Sequence, residues 1–311
     1  MTKVLISDRT HEVLEQKLRE SGIDVSVEPD HDYESLVQAV QDCDGLVVRS
    51  KVNIDRAFID RVPSLRCIGR VGAGMETIDV AYAESKGVRC LNSPEGNRDA
   101  VGEHAVGLLL ALFNHIATAD AEVRQGLWYR EANRGLEVKG KTVGIIGFGN
   151  MGQAFAQRLS GFGCKILVYD KYKNIKGYDD VEAVSLEKLQ QEADVVSFHV
   201  PLTVETHHYL DTDFISRMTK PFYLINTARG AVVDTTSLVK GIEDGKVLGA
   251  ALDVLEYENM NADSLGELQE SVRYLIQSPC TVLTPHVAGW TVESKYKLAA
   301  VLADKIIEVL K

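Results

Sequence analysis

Three kinds of reactive side chain in the C-terminal half each stand just after an apolar run of strand length. Arg229 follows Tyr223–Asn226, in Asn226-Thr-Ala-Arg229-Gly230. Asp253 lies in the run Leu248–Val254, and Glu256 and Glu258 come directly after it. His286 follows Thr281–Thr284, in Pro285-His286-Val-Ala-Gly289. In an open parallel sheet, ligands bind beyond the carboxyl ends of the strands, so a guanidinium, a carboxylate and an imidazole are expected at one sheet edge. This set suits hydride transfer at the hydroxyl-bearing carbon of a 2-hydroxy acid. A guanidinium clamps a carboxylate with two parallel hydrogen bonds and polarises the adjacent carbonyl. An imidazole takes the hydroxyl proton on oxidation and returns it on reduction. A carboxylate on that imidazole fixes its tautomer and raises its pKa.

A hydride needs a carrier, and residues 143–170 supply the pattern for one. The run Val143–Ile146 feeds into Gly147-x-Gly149-x-x-Gly152, a helical segment Gln153–Gly161 follows, and a second apolar run, Lys165–Tyr169, ends at Asp170. Strand, glycines, helix, strand and terminal acid in that order mark dinucleotide binding far more specifically than the glycines alone. Gly147 permits the tight turn, Gly149 lets the backbone approach a pyrophosphate, and Gly152 allows close helix packing. The pyrophosphate is expected on the free N–H groups around Asn150 and Met151. Asp170 accepts from ribose hydroxyls and repels a 2′-phosphate, which favours NAD over NADP; the neighbouring Lys171 and Lys173 soften that preference. Further cofactor contacts are expected at the ends of the later strands: Val200, Thr227, Ala228, Arg229, His286 and Gly289.

The scaffold that positions these residues is legible as alternation. Val4–Ser7, Asp24–Val27, Gly45–Arg49, Cys67–Val71 and Val88–Leu91 are short apolar runs separated by polar helical ones, the pattern of a parallel α/β sheet. They make one small domain ending near Gly96. After the fingerprint the strands resume at Val195–His199. Residues 99–119 predict one long helix, apolar around most of its circumference, that must be buried on more than one face. A homodimer interface around 101–118 accounts for it; burial between two domains of one chain is the alternative. The amphipathic segment Val292–Leu310 is expected to fold back on the first domain, so the chain crosses twice between domains at a hinge.

Bulk properties exclude other classes. A length of 311 residues corresponds to about two domains, and a net charge of −11 argues against nucleic acid as a partner. The longest aliphatic stretch, Val106–Phe113, is too short for a bilayer. Cys43, Cys67, Cys90, Cys164 and Cys280 are scattered, without zinc-ligand spacing, so no metal is expected and a reducing compartment is. MTKVLISD lacks signal-peptide architecture. A cytoplasmic location is therefore expected.

GFGNMG, NTARGAVVD, GAALDVLEYE and LTPHVAGWT together resemble the signatures of the D-isomer-specific 2-hydroxy acid dehydrogenases, in the family's order and over nearly the whole chain. The resemblance implies two doubly wound parallel-sheet domains of α/β class. An NAD-binding Rossmann domain, residues 98–289, is inserted into a flavodoxin-like substrate-binding domain, residues 1–97 plus 290–311. It makes Arg229 the catalytic arginine, His286 the acid/base and Glu258, five residues beyond Asp253, the glutamate; Asp253 is placed near the nicotinamide carboxamide. Asn259 stands where the family usually has proline, which bears on the loop. His104, His115, His207 and His208 are read as surface or core residues; His199 ends a strand, with a satisfied core position and the adenosine side as its two readings.

Within the family, Cys67-Ile-Gly-Arg70-Val-Gly-Ala73-Gly74, VRS at 48–50 and SPEGN at 93–97 are similar to the phosphoglycerate dehydrogenases. That similarity implies phosphate binding by Arg70 and Arg49, carboxylate binding by the Ala73-Gly74 backbone and a further basic contribution from Arg130. 3-Phosphoglycerate and 3-phosphohydroxypyruvate are then the expected small-molecule partners. Feedback by serine through an appended domain after Lys311 is not expected. The alternatives are structural roles for these arginines, a glyoxylate/hydroxypyruvate reductase, or a dinucleotide-sensing scaffold like the C-terminal-binding corepressors.

Overall fold

The structure, a computed structural model, describes residues 2–258 and 270–311. The chain forms two compact units, Met1–Asp99 with Trp290–Lys311, and Ala100–Gly289. It therefore crosses twice between them.

The first unit is built on five parallel strands: β1 (Lys3–Ile6), β2 (Asp24–Val27), β3 (Gly45–Val48), β4 (Cys67–Arg70) and β5 (Arg89–Asn92). Their order is β2-β1-β3-β4-β5, the flavodoxin-like order. The inner strands read as unbroken apolar runs because both faces are covered. Leu14, Leu18 and the terminal helix Val292–Leu310, through Leu302, Ala303 and Ile306, cover one face. Leu36, Phe58 and Ile59 cover the other. The terminal helix opens on a Thr291/Ser294 capping box, and its Leu302 and Ile306 lie so close to Gly69 on β4 that a Cβ there would meet them at 3.1–3.3 Å. A larger residue at Gly69 requires these side chains to give way by a few tenths of an ångström.

The second unit is built on seven parallel strands: β6 (Thr142–Ile146), β7 (Lys165–Tyr169), β8 (Glu182–Ala183), β9 (Val195–Phe198), β10 (Phe222–Asn226), β11 (Val247–Leu252) and β12 (Thr281–Leu283). The order is β12-β11-β10-β9-β6-β7-β8. The chain starts in the middle at β6, winds outward through β7 and β8, then returns to β9 on the other side. The crevice beyond the carboxyl ends of β6 and β9 is thus a topological switch point, where doubly wound sheets bind ligands. The two-residue β8 is too short to register as an apolar run.

The single helix expected over 99–119 is two helices, Arg98–Phe113 and Ile116–Arg124, bent by 62°. His115 breaks them by turning left-handed at φ 51, and the Phe113 carbonyl accepts from Leu136 N–H instead of continuing the helical ladder. The apolar character of the first helix is largely explained inside its own unit. Ala105, Leu108, Leu109, Leu112 and Phe113 join Val143, Ile145 and Phe155 in the core. Among the described residues, no single helix is long and apolar enough to cross a membrane.

Candidate active site

Arg229, Glu258 and His286 all lie in the second unit, on loops leaving β10, β11 and β12 at one edge of the sheet. Asn226, fully buried at the end of β10, shapes the arginine turn: its side-chain amide donates to Arg229 O at 3.0 Å and its carbonyl oxygen accepts from Ala228 N at 3.0 Å. The Arg229 guanidinium donates to Ala228 O at 2.6 Å.

Asp253, buried just beyond β11, pins the histidine loop. One carboxylate oxygen accepts from Thr284 Oγ1 at 2.6 Å and Val287 N at 2.9 Å, the other from Ala288 N at 2.8 Å, and its own carbonyl accepts from His286 N at 2.7 Å. A buried carboxylate is tolerable when its lone pairs are filled in this way. The same bonds hold His286 at φ 54, a left-handed conformation that costs a β-carbon-bearing residue roughly 1 kcal/mol or more. His104 Nε2 joins the network 3.0 Å from Thr284 Oγ1 and 3.5 Å from Asp253. Asn226, Thr284 and His104 were not picked out from the sequence. The partners of Thr284 and His104 come from distant segments, so no local spacing marks them, whereas those of Asn226 lie two and three residues along the chain, in the turn that it shapes.

His286 Nδ1 lies 2.7 Å from Glu258 Oε2. A carboxylate only accepts, so Nδ1 carries the hydrogen and Nε2 is left for chemistry. The Glu258 hydrogen bond raises the imidazole pKa above its ordinary value and outweighs burial, which lowers it; Arg229 also opposes the rise, and Asp253 supports it. Glu256, the other acid of this loop, turns away to His208. Asn259 lies outside the described residues.

The fingerprint occupies the switch point. Gly147 has φ 92, and a Cβ on it would sit 2.7 Å from His199 O and 2.8 Å from Val200 Cγ1. Gly152 packs against the Gly147 carbonyl with no room for a side chain. Gly149, N-cap of the helix Asn150–Leu159, is the opposite case: a Cβ there meets nothing within 4 Å. Open space in front of a helix N-terminus at Asn150 and Met151 fits a pyrophosphate. Thr227, at the tip of β10 beside Ala228, keeps its buried hydroxyl without a hydrogen-bond partner among the described residues, as a ligand-facing group would. Asp170 is more committed than its sequence position implied. One oxygen accepts from Phe148 N at 2.8 Å, the other from Tyr172 and Lys173 N, both at 2.9 Å. Burial alone would raise its pKa, but these bonds hold the carboxyl below its usual value. His199 stacks on Phe155 at 5.3 Å and touches Ser197 Oγ at 2.8 Å; burial pushes its pKa down to about 3, so it is neutral.

Arg49, Arg70, Ala73 and Gly74 belong to the first unit, Arg130 and Gly289 to the second. Arg70 donates to Arg49 O at 3.1 Å and Gly74 O at 2.8 Å, which fixes its guanidinium against Gly72. Asn92 donates to Ala73 O at 2.6 Å. The Arg49 guanidinium stacks over Trp290, 5.4 Å from the ring centroid. Arg130 is exposed. In the SPEGN segment, Ser93 Oγ and Asn97 Oδ1 are buried without partners among the described residues.

Residues 106–288 match the family model for the D-isomer specific 2-hydroxyacid dehydrogenase, NAD binding domain. The chain belongs to the D-isomer-specific 2-hydroxyacid dehydrogenase family. It is 38% identical over 277 residues to a hydroxypyruvate reductase of Thermotoga maritima, covering 89% of this chain and 88% of that one. It is 35% identical over 314 residues to a D-3-phosphoglycerate dehydrogenase of Methanocaldococcus jannaschii, covering 100% of this chain and 58% of the other. The D-lactate dehydrogenase of Aquifex aeolicus, solved with NAD and lactic acid, superposes with a TM-score of 0.82 at 26% identity over 99% of this chain and 94% of that chain. The protein is accordingly an NAD-dependent oxidoreductase acting on the CH–OH group of D-2-hydroxy acids.

Proposed function

We propose that this dehydrogenase works on 3-phosphoglycerate and 3-phosphohydroxypyruvate, with Arg229, Glu258 and His286 as its chemical residues. The 2.7 Å His286–Glu258 contact, with Arg229 near enough to influence the imidazole, carries the assignment of roles. NAD, when bound, supplies the hydride chemistry. Gly147, Gly149, Asn150, Met151 and Gly152 would hold its pyrophosphate, Asp170 its ribose, and Val200, Thr227, Ala228, Asp253 and Gly289 the remaining surface. In reduction, Arg229 clamps the substrate carboxylate and His286 gives its Nε2 proton to the carbonyl oxygen, which becomes the hydroxyl. Glu258 keeps the ring oriented and stabilises its charged form beforehand.

The phosphorylated substrate is supported by the adjacency of Arg49 and Arg70 beside the 72–74 loop, a cationic corner in an acidic chain. The rival reading, a glyoxylate/hydroxypyruvate reductase, is favoured by the Trp290 stack on Arg49 and by the commitment of Arg70 to two backbone carbonyls. A charged hydrogen bond is worth roughly 1.5–3 kcal/mol, so kcat/KM for 3-phosphohydroxypyruvate should exceed that for hydroxypyruvate at least ~10-fold. Arg49→Gln should erase most of that preference and leave glyoxylate reduction nearly unchanged. Equal or reversed preference in the parent enzyme would move the assignment to the reductase.

Two further features belong to this reading. The helix Ile116–Arg124 buries none of its residues and exposes Ile116 and Val123, followed by Trp128 and Tyr129; a second copy of the chain is its proposed cover, giving a homodimer. The five free cysteines, with Cys67 pushed up to about 12 by burial, suit a reducing cytoplasm.

A further inference from the structure

Glu256 stands two residues before Glu258 and makes the same kind of contact to a different histidine. Its Oε1 lies 2.7 Å from His208 Nε2, and its Oε2 accepts from Thr235 Oγ1 at 2.7 Å and Thr235 N at 3.2 Å. On the other side of the ring, His208 Nδ1 faces Asp234 Oδ2 at 3.5 Å. Asp234 in turn caps the helix Thr235–Glu243, accepting from Ser237 N at 2.6 Å. His208, Asp234 and Glu256 are all half-buried.

These side chains come from the three segments that leave β9, β10 and β11. Backbone bonds stitch the first two together: His208 N donates to Ala231 O at 2.8 Å, Leu210 N to Val232 O at 3.1 Å, and Asp234 N to Leu210 O at 2.9 Å. Gly230, next to Arg229, lies against the Leu255 carbonyl with no space for a Cβ. The Glu256 side chain ties the third segment to the other two, and His208 takes φ 51 where it meets it. The same set has metal-ligand character, with ligand atoms within 4.8 Å of one another. The ring, however, meets the two carboxylates through opposite nitrogens, which is a bridge between acids rather than three ligands converging on one ion.

We propose that Glu256 and His208 are a positioning pair: they hold the segment carrying Glu258 in register with the segment carrying Arg229, so that guanidinium and imidazole address one substrate. The pair touches neither substrate nor cofactor. The inference rests on the roles given to Arg229, Glu258 and His286.

The test compares kcat and KM for a 2-keto acid, NADH affinity and Tm in the parent, Glu256→Ala, His208→Ala, Glu256→Gln and the double alanine variant, with His286→Ala as reference. Misplacement on the ångström scale costs roughly 10–100-fold in rate. That loss is expected in kcat for each single alanine variant, with NADH affinity within about twofold of the parent, because the fingerprint is elsewhere. Glu256→Gln, which still accepts from the ring, should recover most of it. The double variant should lose no more than the worse single one, as expected when two residues act as a unit. Parent-like kcat in both single variants, multiplying losses in the double, or losses that follow Tm and NADH affinity without rescue by Gln would each overturn the pair. Should Glu256→Ala fail to fold, Glu256→Gln against His208→Ala carries the same comparison. If His286→Ala turns over like the parent, the roles beneath the inference fail; if only the Glu256 and His208 variants do, the pair fails alone.

Discussion

With His286 as the proposed acid/base, its proton decides which direction of the reaction is available at a given pH. Glu258 raises the imidazole pKa, so the ring stays charged, and competent to reduce, to a higher pH than an ordinary histidine. Glu258→Gln removes that support and the pKa falls. The alkaline limb of kcat/KM for reduction should therefore move to lower pH, and oxidation, which needs the neutral ring, should become active at lower pH as well. Rate profiles in both directions check this; limbs that stay in place would separate Glu258 from His286 function. The choice between Glu256 and Glu258 was legible in the sequence only through the spacing of the family motif; Glu258 is the one that lies 2.7 Å from His286 Nδ1. His104 and His208 were not legible, because their partners lie 180 and 48 residues away. A lone histidine on a helix or loop shows nothing of what three-dimensional packing brings to it. Asp170 illustrates the complementary limit: its place at the end of β7 is plain, but its bond from Phe148 N depends on how the fingerprint loop curls back, beside two local bonds from Tyr172 N and Lys173 N.

At the scale of elements, alternating apolar runs located most of the strands well, since a parallel sheet covered on both faces must be written in Val, Ile and Leu. The β8 strand and the break at His115 were missed because neither has a composition signature; a left-handed turn at a histidine and a borrowed carbonyl are tertiary events. The break matters, for it separates a helix that fills the core from one that buries none of its own residues among those described. If Ile116–Arg124 docks on a second copy, sedimentation equilibrium at micromolar concentration should give a dimer, and Ile116→Asp with Val123→Asp should give a monomer with the second unit still folded. A monomeric parent would contradict the assignment. Charges placed in an apolar interface without partners cost several kcal/mol, enough to separate most dimers at that concentration.

At the scale of the molecule, two parallel sheets divide the work. The seven-stranded sheet brings the fingerprint, Arg229, Glu258 and His286 to its carboxyl edge, because doubly wound topology leaves all loop chemistry on that side. The five-stranded sheet carries Arg49, Arg70 and the 72–74 loop. The most direct test of the central claim is the initial rate of NADH oxidation with a 2-keto acid, comparing the parent with Arg229→Lys and assigning the hand of the product. The parent should form the D-hydroxy acid. Arg229→Lys keeps the charge but loses the paired geometry, so kcat/KM should fall by at least ~2 kcal/mol, about 30-fold, with NADH affinity little changed. An L product, or a lysine variant with near-parent kcat/KM, would contradict the account.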